Sequence, residues 1–210
     1  MKYYIIGNGG FSKEILILSK EVFGSTSDFL GFLDVNPKKL EVKIGKYLFP
    51  VYDEEIILSN LNIKCNVFIG IADPAKISNI KKKYARFSFP NLIHPSVLLD
   101  KDYVALGQGN IISSGCIFTV DIAIGSFNIF NTRVTIGHDV QIGSFNVFQP
   151  NVQISGFVSI GDKNNFGVNS CVLQLKKIGN SNKLGANSLL MKSISEGKRY
   201  FGIPALEIKI

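Results

Sequence analysis

Between residues 104 and 190 the chain repeats one spacing without a slip. An aliphatic residue followed by glycine recurs every eighteen positions, at Leu106-Gly107, Ile124-Gly125, Ile142-Gly143, Ile160-Gly161 and Ile178-Gly179. Dividing the step by three leaves a ladder in which every rung is apolar: Leu106, Ile112, Phe118, Ile124, Phe130, Ile136, Ile142, Phe148, Ile154, Ile160, Phe166, Val172, Ile178, Leu184 and Leu190. A second ladder, Asn110, Asn128, Asn146, Asn164 and Asn182, keeps its phase two residues before an apolar rung. A fixed internal period outranks local propensity as a guide to architecture. Six residues per flat side and three sides per turn describe a parallel β-helix of hexapeptides, with one apolar side chain per side pointing to the axis. The recurring glycine suits a backbone corner, where φ is positive or a Cβ would clash. Asparagines stacked coil over coil can hydrogen-bond along the axis, as they do between stacked strands. A β-sandwich forces no such run of sixth positions to be apolar. The spacing leaves the hand of the coil open.

The part before the repeat has a different rhythm. Residues 2–6 form a short apolar strand, Gly7-Asn8-Gly9-Gly10-Phe11-Ser12 a turn, and Ile15, Leu16, Leu18 and Val22 a helical pattern. Strand, glycine turn and helix open a nucleotide-binding βαβ unit, in which backbone N–H groups approach a phosphate at the helix N-terminus. Ser12 stands where the third glycine of GxGxxG would be. Residues 30–33 read as the second strand, ending in Asp34-Val35-Asn36-Pro37. An acidic residue about 20 positions after the glycine loop is where ribose hydroxyls are held; a turn aspartate capping its own backbone is an equal reading. Residues 47–51 give a third strand, Asp53 a helix N-cap, residues 67–71 a fourth strand, and Asp73-Pro74 opens a helix running to about Tyr84. The alternation predicts a small α/β domain with a Rossmann-like parallel sheet. Residues 87–95 link it to the repeat. The domains expected are 1–90, 91–195 and a C-terminal tail, 196–210.

Composition removes several classes of function. No apolar run reaches the roughly 18 residues of a membrane span, and MKYYIIGNGG lacks the apolar core and cleavage site of a signal peptide, so a cytoplasmic protein is expected. Three cysteines without a CxxC pair argue against a disulfide framework or a zinc site, and Cys65, Cys116 and Cys171 read as buried thiols. The net charge of +7 is spread out, Lys81-Lys82-Lys83 being the one basic run. It reads as a solvated helix face, and no aromatic and basic interleaving points to nucleic acid.

Of the two histidines, His138 lies inside the repeat. It follows Ile136-Gly137, so it occupies a corner and points outward beside Asp139. Coils stack eighteen residues apart, which puts Val120 and Gly156 on either side of His138, and Asp121 and Phe157 on either side of Asp139. An imidazole suits a general base near neutral pH. Asp139 or Asp121 can orient it, and Gly156, one strand spacing away at about 4.8 Å, leaves room for a thioester and offers a backbone N–H to an oxyanion. A surface histidine with no task fits the spacing equally. His94, in the linker, reads as structural.

Across its length the order of parts resembles the NeuD/PglD family of bacterial sugar acyltransferases. The residues that carry the resemblance are IIGNGGFSKEI at 5–15, GFLD at 31–34, IGIADPAKI at 69–77, LIHPS at 92–96, NTRVTIGHDVQIGSF at 131–145 and GIPA at 202–205. The chain departs from the family at Phe11, where some members have histidine, at Gly137, where some have glutamate, and at Val147, where many have a second histidine. The resemblance implies a left-handed β-helix and a homotrimer with active sites between subunits. It implies acetyl-CoA as acyl donor, no metal, and a nucleotide-linked amino sugar as acceptor. His138 would be the base, with Asp139 holding it and Gly156 N–H on the oxyanion. Gly7, Asn8, Gly9, Gly10, Phe11, Ser12, Asp34 and Asn36 would contact the sugar nucleotide; Gly156, Val147, Val168, Ala186 and Pro204 would contact the cofactor. The expected activity is N-acetylation of a UDP-linked amino-deoxy sugar for surface glycans. O-acetylation of a sialic or related nonulosonic acid, and a non-catalytic trimeric scaffold that binds sugar nucleotides, are the alternatives. Neither nucleic acid nor membrane is an expected partner.

Overall fold

The computed structural model describes residues 2–60 and 65–208; the outermost positions of the first expected domain and of the tail, 1 and 209–210, lie outside them. The chain divides into two compact units, Met1–Ala72 with Lys76–Leu92, and Asp73–Ala75 with Ile93–Ile210.

In the first unit β1 (Tyr3–Ile6), α1 (Gly10–Phe23), β2 (Phe29–Asp34), β3 (Glu41–Ile44), β4 (Tyr47–Asp53), α2 (Glu54–Asn60), β5 (Asn66–Ile69) and, from Lys76 on, α3 (Pro74–Lys83) follow in order. The sheet order is β3-β4-β2-β1-β5, with every pair parallel except β3 on β4. The strand Glu41–Ile44 was not expected. It is an antiparallel edge strand made by a hairpin whose turn is Gly45-Lys46, with Gly45 at φ 58°. Burial explains the miss: of its four residues only Val42 is buried, so the segment carries no apolar run. Asp53 is the N-cap as expected, its Oδ1 accepting from Glu55 N at 2.9 Å and Ile56 N at 3.1 Å. α1 begins two residues before Ser12, with Gly9 as an N-cap that has no side-chain bond, and ends at Gly24 in the left-handed conformation.

The second unit is a three-sided parallel β-helix. Face one stacks Val104–Leu106, Ile122–Ile124, Gln141–Ile142, Ser159–Ile160 and Lys177–Ile178. Face two includes Ile111–Ile112, Ile129–Phe130, Val147–Phe148, Asn165–Phe166 and Lys183–Leu184. Face three stacks Ile117–Phe118, Thr135–Ile136, Gln153–Ile154, Cys171–Val172 and Leu189–Leu190. Each pairing joins residues eighteen apart, such as Ile136 to Ile154 and Phe130 to Phe148. The predicted rungs from Ile112 to Leu190 are all buried in one core, and Leu106 packs against it half-buried. Phe130, Phe148 and Phe166 stack nearly face on, with centroids 4.7 and 4.8 Å apart.

The structure corrects the axial count. Two side chains per side point inward, the rung and the residue two before it: Val134 with Ile136, Val140 with Ile142, Val152 with Ile154. On face two that second position is the asparagine ladder. The Oδ1 of Asn110, Asn128, Asn146 and Asn164 each accepts from the backbone N and Nδ2 of the asparagine one coil on, at 2.8–3.2 Å, and Asn182 Oδ1 ends the ladder by accepting from Lys198 N at 3.0 Å. These amides are buried to within 2%, so the ladder replaces hydrogen bonds to water that burial removes. Cys116 occupies the same inward position on face three, and burial pushes its thiol up to about 11. Cys65 is buried, whereas Cys171 is only partly so.

The corners also differ from expectation. The recurring glycines do not supply positive φ. That conformation falls two residues later; Gly109 and Gly115 hold it first, and from Asp121 on non-glycine residues hold it at every sixth position, among them Asp121, Phe127, Arg133, Asp139, Phe145, Asn151 and Phe157, at 57–62°. The glycines are required for close approach: a Cβ on Gly125 would lie 2.7 Å from Gly143 O on the next coil.

Candidate active site

His138 and Asp139 sit at the corner where face three turns into face one. The register of Ile117 with Thr135 and of Thr135 with Gln153 puts Val120 and Gly156 one coil to either side of His138, and Asp121 and Phe157 on either side of Asp139. His138 Nδ1 lies 2.8 Å from Asp139 Oδ2. A carboxylate has no proton to give, so Nδ1–H donates, and Nε2 keeps its lone pair for another proton. The pair is exposed, at 51% and 42% of the side chains. Such a pair adds little to stability; its effect is to fix the tautomer and the ring plane.

Gly156 shapes the other side of the ring. A Cβ there would lie 2.7 Å from both His138 Cε1 and Nε2, so the imidazole lies across the space a side chain would fill. Glycine at 156 therefore makes room for the base itself. Gly156 N–H has no hydrogen-bond partner among the described residues, while Phe157 N–H donates to His138 O at 2.9 Å. The Phe157 ring stands nearly perpendicular to the imidazole, 5.0 Å between centroids. Asp121 makes no hydrogen bond to the histidine; of the two candidate orienting carboxylates, Asp139 is the one in contact. An oriented imidazole with a free Nε2 beside a free backbone N–H can take a proton from a nucleophile while the N–H meets developing negative charge.

A second feature lies in the first unit. A cavity of about 560 Å³ is lined by Asn8, Lys13, Asp34, Val35, Asn36, Lys38, Lys39, Glu41, Val42 and Lys43. Three of the predicted nucleotide contacts, Asn8, Asp34 and Asn36, thus share one cavity. Four lysines surround it that the sequence reading did not pick out. Lys38, Lys39 and Lys43 reach it through the unexpected edge strand and the loop before it, and no motif marks them. Gly9 and Gly10 are exposed at the start of α1, and a Cβ on either would meet nothing within 4 Å. α1 has no acidic residue in its first turn, which leaves that end open to an anion. Asp34 Oδ1 also accepts from Val35 N at 2.9 Å, so the capping reading holds for that oxygen. Ser12 is buried, and its Oγ donates to Gly70 O at 2.8 Å, tying α1 to the end of β5, so its hydroxyl hydrogen is engaged within the unit. Gly7, at φ 98°, is buried against Ser12 and turns the chain. Phe11 is half-buried.

The expected cofactor residues scatter. Val147 is 1% exposed on face two, away from the His138 corner, and offers no surface to a cofactor. Val168 and Ala186 are exposed, one coil apart, on the corner between faces two and three, and Pro204 is exposed in the tail after a cis Ile203-Pro204 bond. One chain does not bring these three to His138. Among the described residues no group of three or more histidines, cysteines and acids stands close enough to hold a metal ion, and no helix is long and apolar enough to cross a membrane.

No family model and no curated protein sequence matches the chain. Solved structures do. The acetyltransferase domain of PglB from Neisseria gonorrhoeae, in complex with acetyl coenzyme A, superposes with a TM-score of 0.88 at 22% identity, covering 99% of this chain and 98% of that one. PerB from Caulobacter crescentus, in complex with CoA and GDP-perosamine, gives 0.87 at 24% identity, over 100% and 98%. WeeI from Acinetobacter baumannii gives 0.85 at 24% identity, over 99% and 100%. The chain has their fold. The β-helix is the left-handed parallel form, preceded by a small α/β part, as the sequence reading expected.

Proposed function

We propose that this chain is an acetyl-CoA-dependent N-acetyltransferase that acts on the amino group of a nucleotide-linked amino-deoxy sugar. The observation that carries the proposal is the His138 corner: an imidazole oriented by Asp139, with Nε2 open beside the unpartnered Gly156 N–H. The amine nitrogen attacks the thioester carbonyl carbon, forming the C–N bond. Nε2 takes the proton from that nitrogen, and Gly156 N–H faces the carbonyl oxygen as it becomes an oxyanion. The C–S bond then breaks, and the proton passes from the imidazolium to the departing CoA thiolate. Acyl transfer is direct, with no covalent intermediate on the protein.

The lysine-lined cavity with Asn8, Asp34 and Asn36 suits the nucleotide and its phosphates. UDP is the nucleotide proposed; GDP is tested beside it because PerB is described with GDP-perosamine. The fold likeness to a protein described with acetyl coenzyme A supports the donor. Val168 and Ala186 stand on a different corner from His138, and Pro204 in the tail, which supports a homotrimer whose sites lie between copies, one copy giving the base and its neighbour the far contacts with CoA. A cytoplasmic location goes with this cofactor.

The test is thiol release from acetyl-CoA with a panel of UDP-, GDP- and dTDP-linked 3- and 4-amino sugars, with free and CMP-linked sialic acids alongside. Turnover on an amino sugar, lowered about 10²–10⁴-fold by His138→Ala, is the expected result. Turnover on sialic acids alone would assign O-acetylation instead. Silence across the panel together with no acetyl-CoA binding would leave the sugar-nucleotide scaffold.

A further inference from the structure

The first unit holds a second cavity, also of about 560 Å³, that acyl transfer at His138 does not use. It lies between the C-terminal half of α1 and the tip of the β3–β4 hairpin. Leu16 is its buried floor and Ile44 and Phe49 are half-buried, while Ile17, Tyr47 and Leu48 stand around it 43%, 60% and 60% exposed. Scattered apolar residues on a surface need no explanation, but a contiguous set around one hollow marks a binding site. The volume falls within the roughly 300–1,000 Å³ of small-molecule sites. The charges here have one sign. Lys20 of α1 and Lys46 of the hairpin turn are the charged residues of the described lining, with no carboxylate among them. Both are exposed, and neither makes an ion pair among the described residues. Lys46 Nζ lies 5.4 Å from the centre of the Tyr47 ring, which holds a cation over the apolar wall.

We propose that this cavity binds an amphipathic anion, an aliphatic chain carrying one phosphate or carboxylate, and that its occupant weakens nucleotide binding in the cavity beside it. The chain covers the exposed apolar walls, which is favourable in proportion to the area removed from water, and the head meets Lys20 and Lys46. The two cavities share both walls. Along α1, Lys13 lines the nucleotide cavity and Leu16, Ile17 and Lys20 line this one; along β3, Lys43 lines the first and the next residue, Ile44, lines the second. β3 is a four-residue edge strand held by β4 alone, so an occupant that displaces Ile44 displaces Lys43 with it. The added negative charge also opposes a nucleotide drawn by the neighbouring lysines, and the nucleotide lowers the affinity for the anion by the same factor. The coupling rests on the nucleotide placement proposed above; the binding of the anion does not, and neither depends on His138.

The test is calorimetry on the full chain with dodecyl phosphate below its micelle concentration, beside dodecyltrimethylammonium and inorganic phosphate. Saturable binding of dodecyl phosphate is expected, at least tenfold tighter than that of the cationic chain or of phosphate without a chain. Ile17→Ser with Leu48→Ser should weaken it roughly tenfold, and Lys20→Gln with Lys46→Gln about fivefold. All four side chains are exposed, and far-ultraviolet melting confirms that the variants fold. Saturating dodecyl phosphate should weaken UDP binding about threefold. Equal affinity for the cationic chain, or dodecyl phosphate affinity unchanged in both double variants, would overturn the site. Binding to phosphatidylglycerol vesicles without binding of dodecyl phosphate monomers would replace it with a membrane surface. Self-association lost in the Ile17→Ser, Leu48→Ser variant, read by sedimentation, would replace it with a contact between copies of this chain. UDP affinity unmoved by bound dodecyl phosphate would overturn the coupling alone.

Discussion

Two corners of the same coil share a backbone and differ in what they do with it. At the corner between faces one and two, each exposed N–H is accepted by the side chain one coil on: Gln108 N by Ser126 Oγ, Ser126 N by Ser144 Oγ, Ser144 N by Asp162 Oδ1, and Asp162 N by Asn180 Oδ1, at 2.7–3.2 Å. At the His138 corner the same column reads Val120, His138, Gly156 and Gln174, and Gly156 N–H is left open. The ladder corner spends its polar groups on holding coils together. The His138 corner withholds them, and an unsatisfied donor beside an oriented base is the state in which a ligand gains most from binding.

Glycine-to-alanine substitution at the two corners breaks the comparison most sharply. Gly156→Ala puts a Cβ against the imidazole and should cost about a hundredfold in kcat by displacing the base, with little change in Tm because a half-exposed side chain can move aside. Gly125→Ala puts the same atom 2.7 Å from the backbone of Gly143. It should cost about 1–3 kcal/mol in denaturant unfolding and leave kcat of the folded protein as it was. If both variants lose the same property, the two corners are equivalent and the site assignment fails.

Asp139→Asn addresses the pair itself. Losing one charge-assisted hydrogen bond to His138 should lower kcat roughly tenfold with acetyl-CoA binding unchanged, read in steady-state kinetics against calorimetry. The counterpart on the ladder corner, Asp162→Ala, frees one backbone N–H and should cost about 1 kcal/mol of stability with no effect on turnover. The smallest expected effect concerns thiol labelling. Cys116, whose pKa is raised to about 11 by burial, should stay unlabelled at pH 8 while Cys171 reacts slowly; prompt labelling of Cys116 would mean that the coil opens at its inner column.

Much of this contrast was legible before any coordinates, because a stacked coil converts sequence distance into spatial distance. Residues eighteen apart must be neighbours, so the company of His138 and Asp139 followed from counting, as did the asparagine ladder. The partner of the base was legible for a simpler reason: it is the next residue. What counting could not supply was which atoms face which. That Gly156 makes room for the imidazole, and that Asp139 rather than Asp121 orients it, depends on side-chain rotation. The left-handed corner residues were hidden as well, since aspartate, phenylalanine, arginine, asparagine and leucine all take that conformation there and leave no common letter.

The first unit was legible only in outline. Its strand-glycine-helix opening follows from local chemistry, but Ser12 owes its role to Gly70, 58 residues away, and Lys38, Lys39 and Lys43 join Lys13 of α1 around Asp34 because a hairpin brings Glu41–Ile44 onto the sheet edge. No period links those positions. The coil, its register and the residues stacked about His138 follow from the amino-acid order, because an apolar rung at every sixth position is buried together only when the chain turns three sides per eighteen residues. The tertiary structure alone decided which donors were left without partners and which lysines share a cavity, because both depend on contacts between segments that no repeat holds in phase.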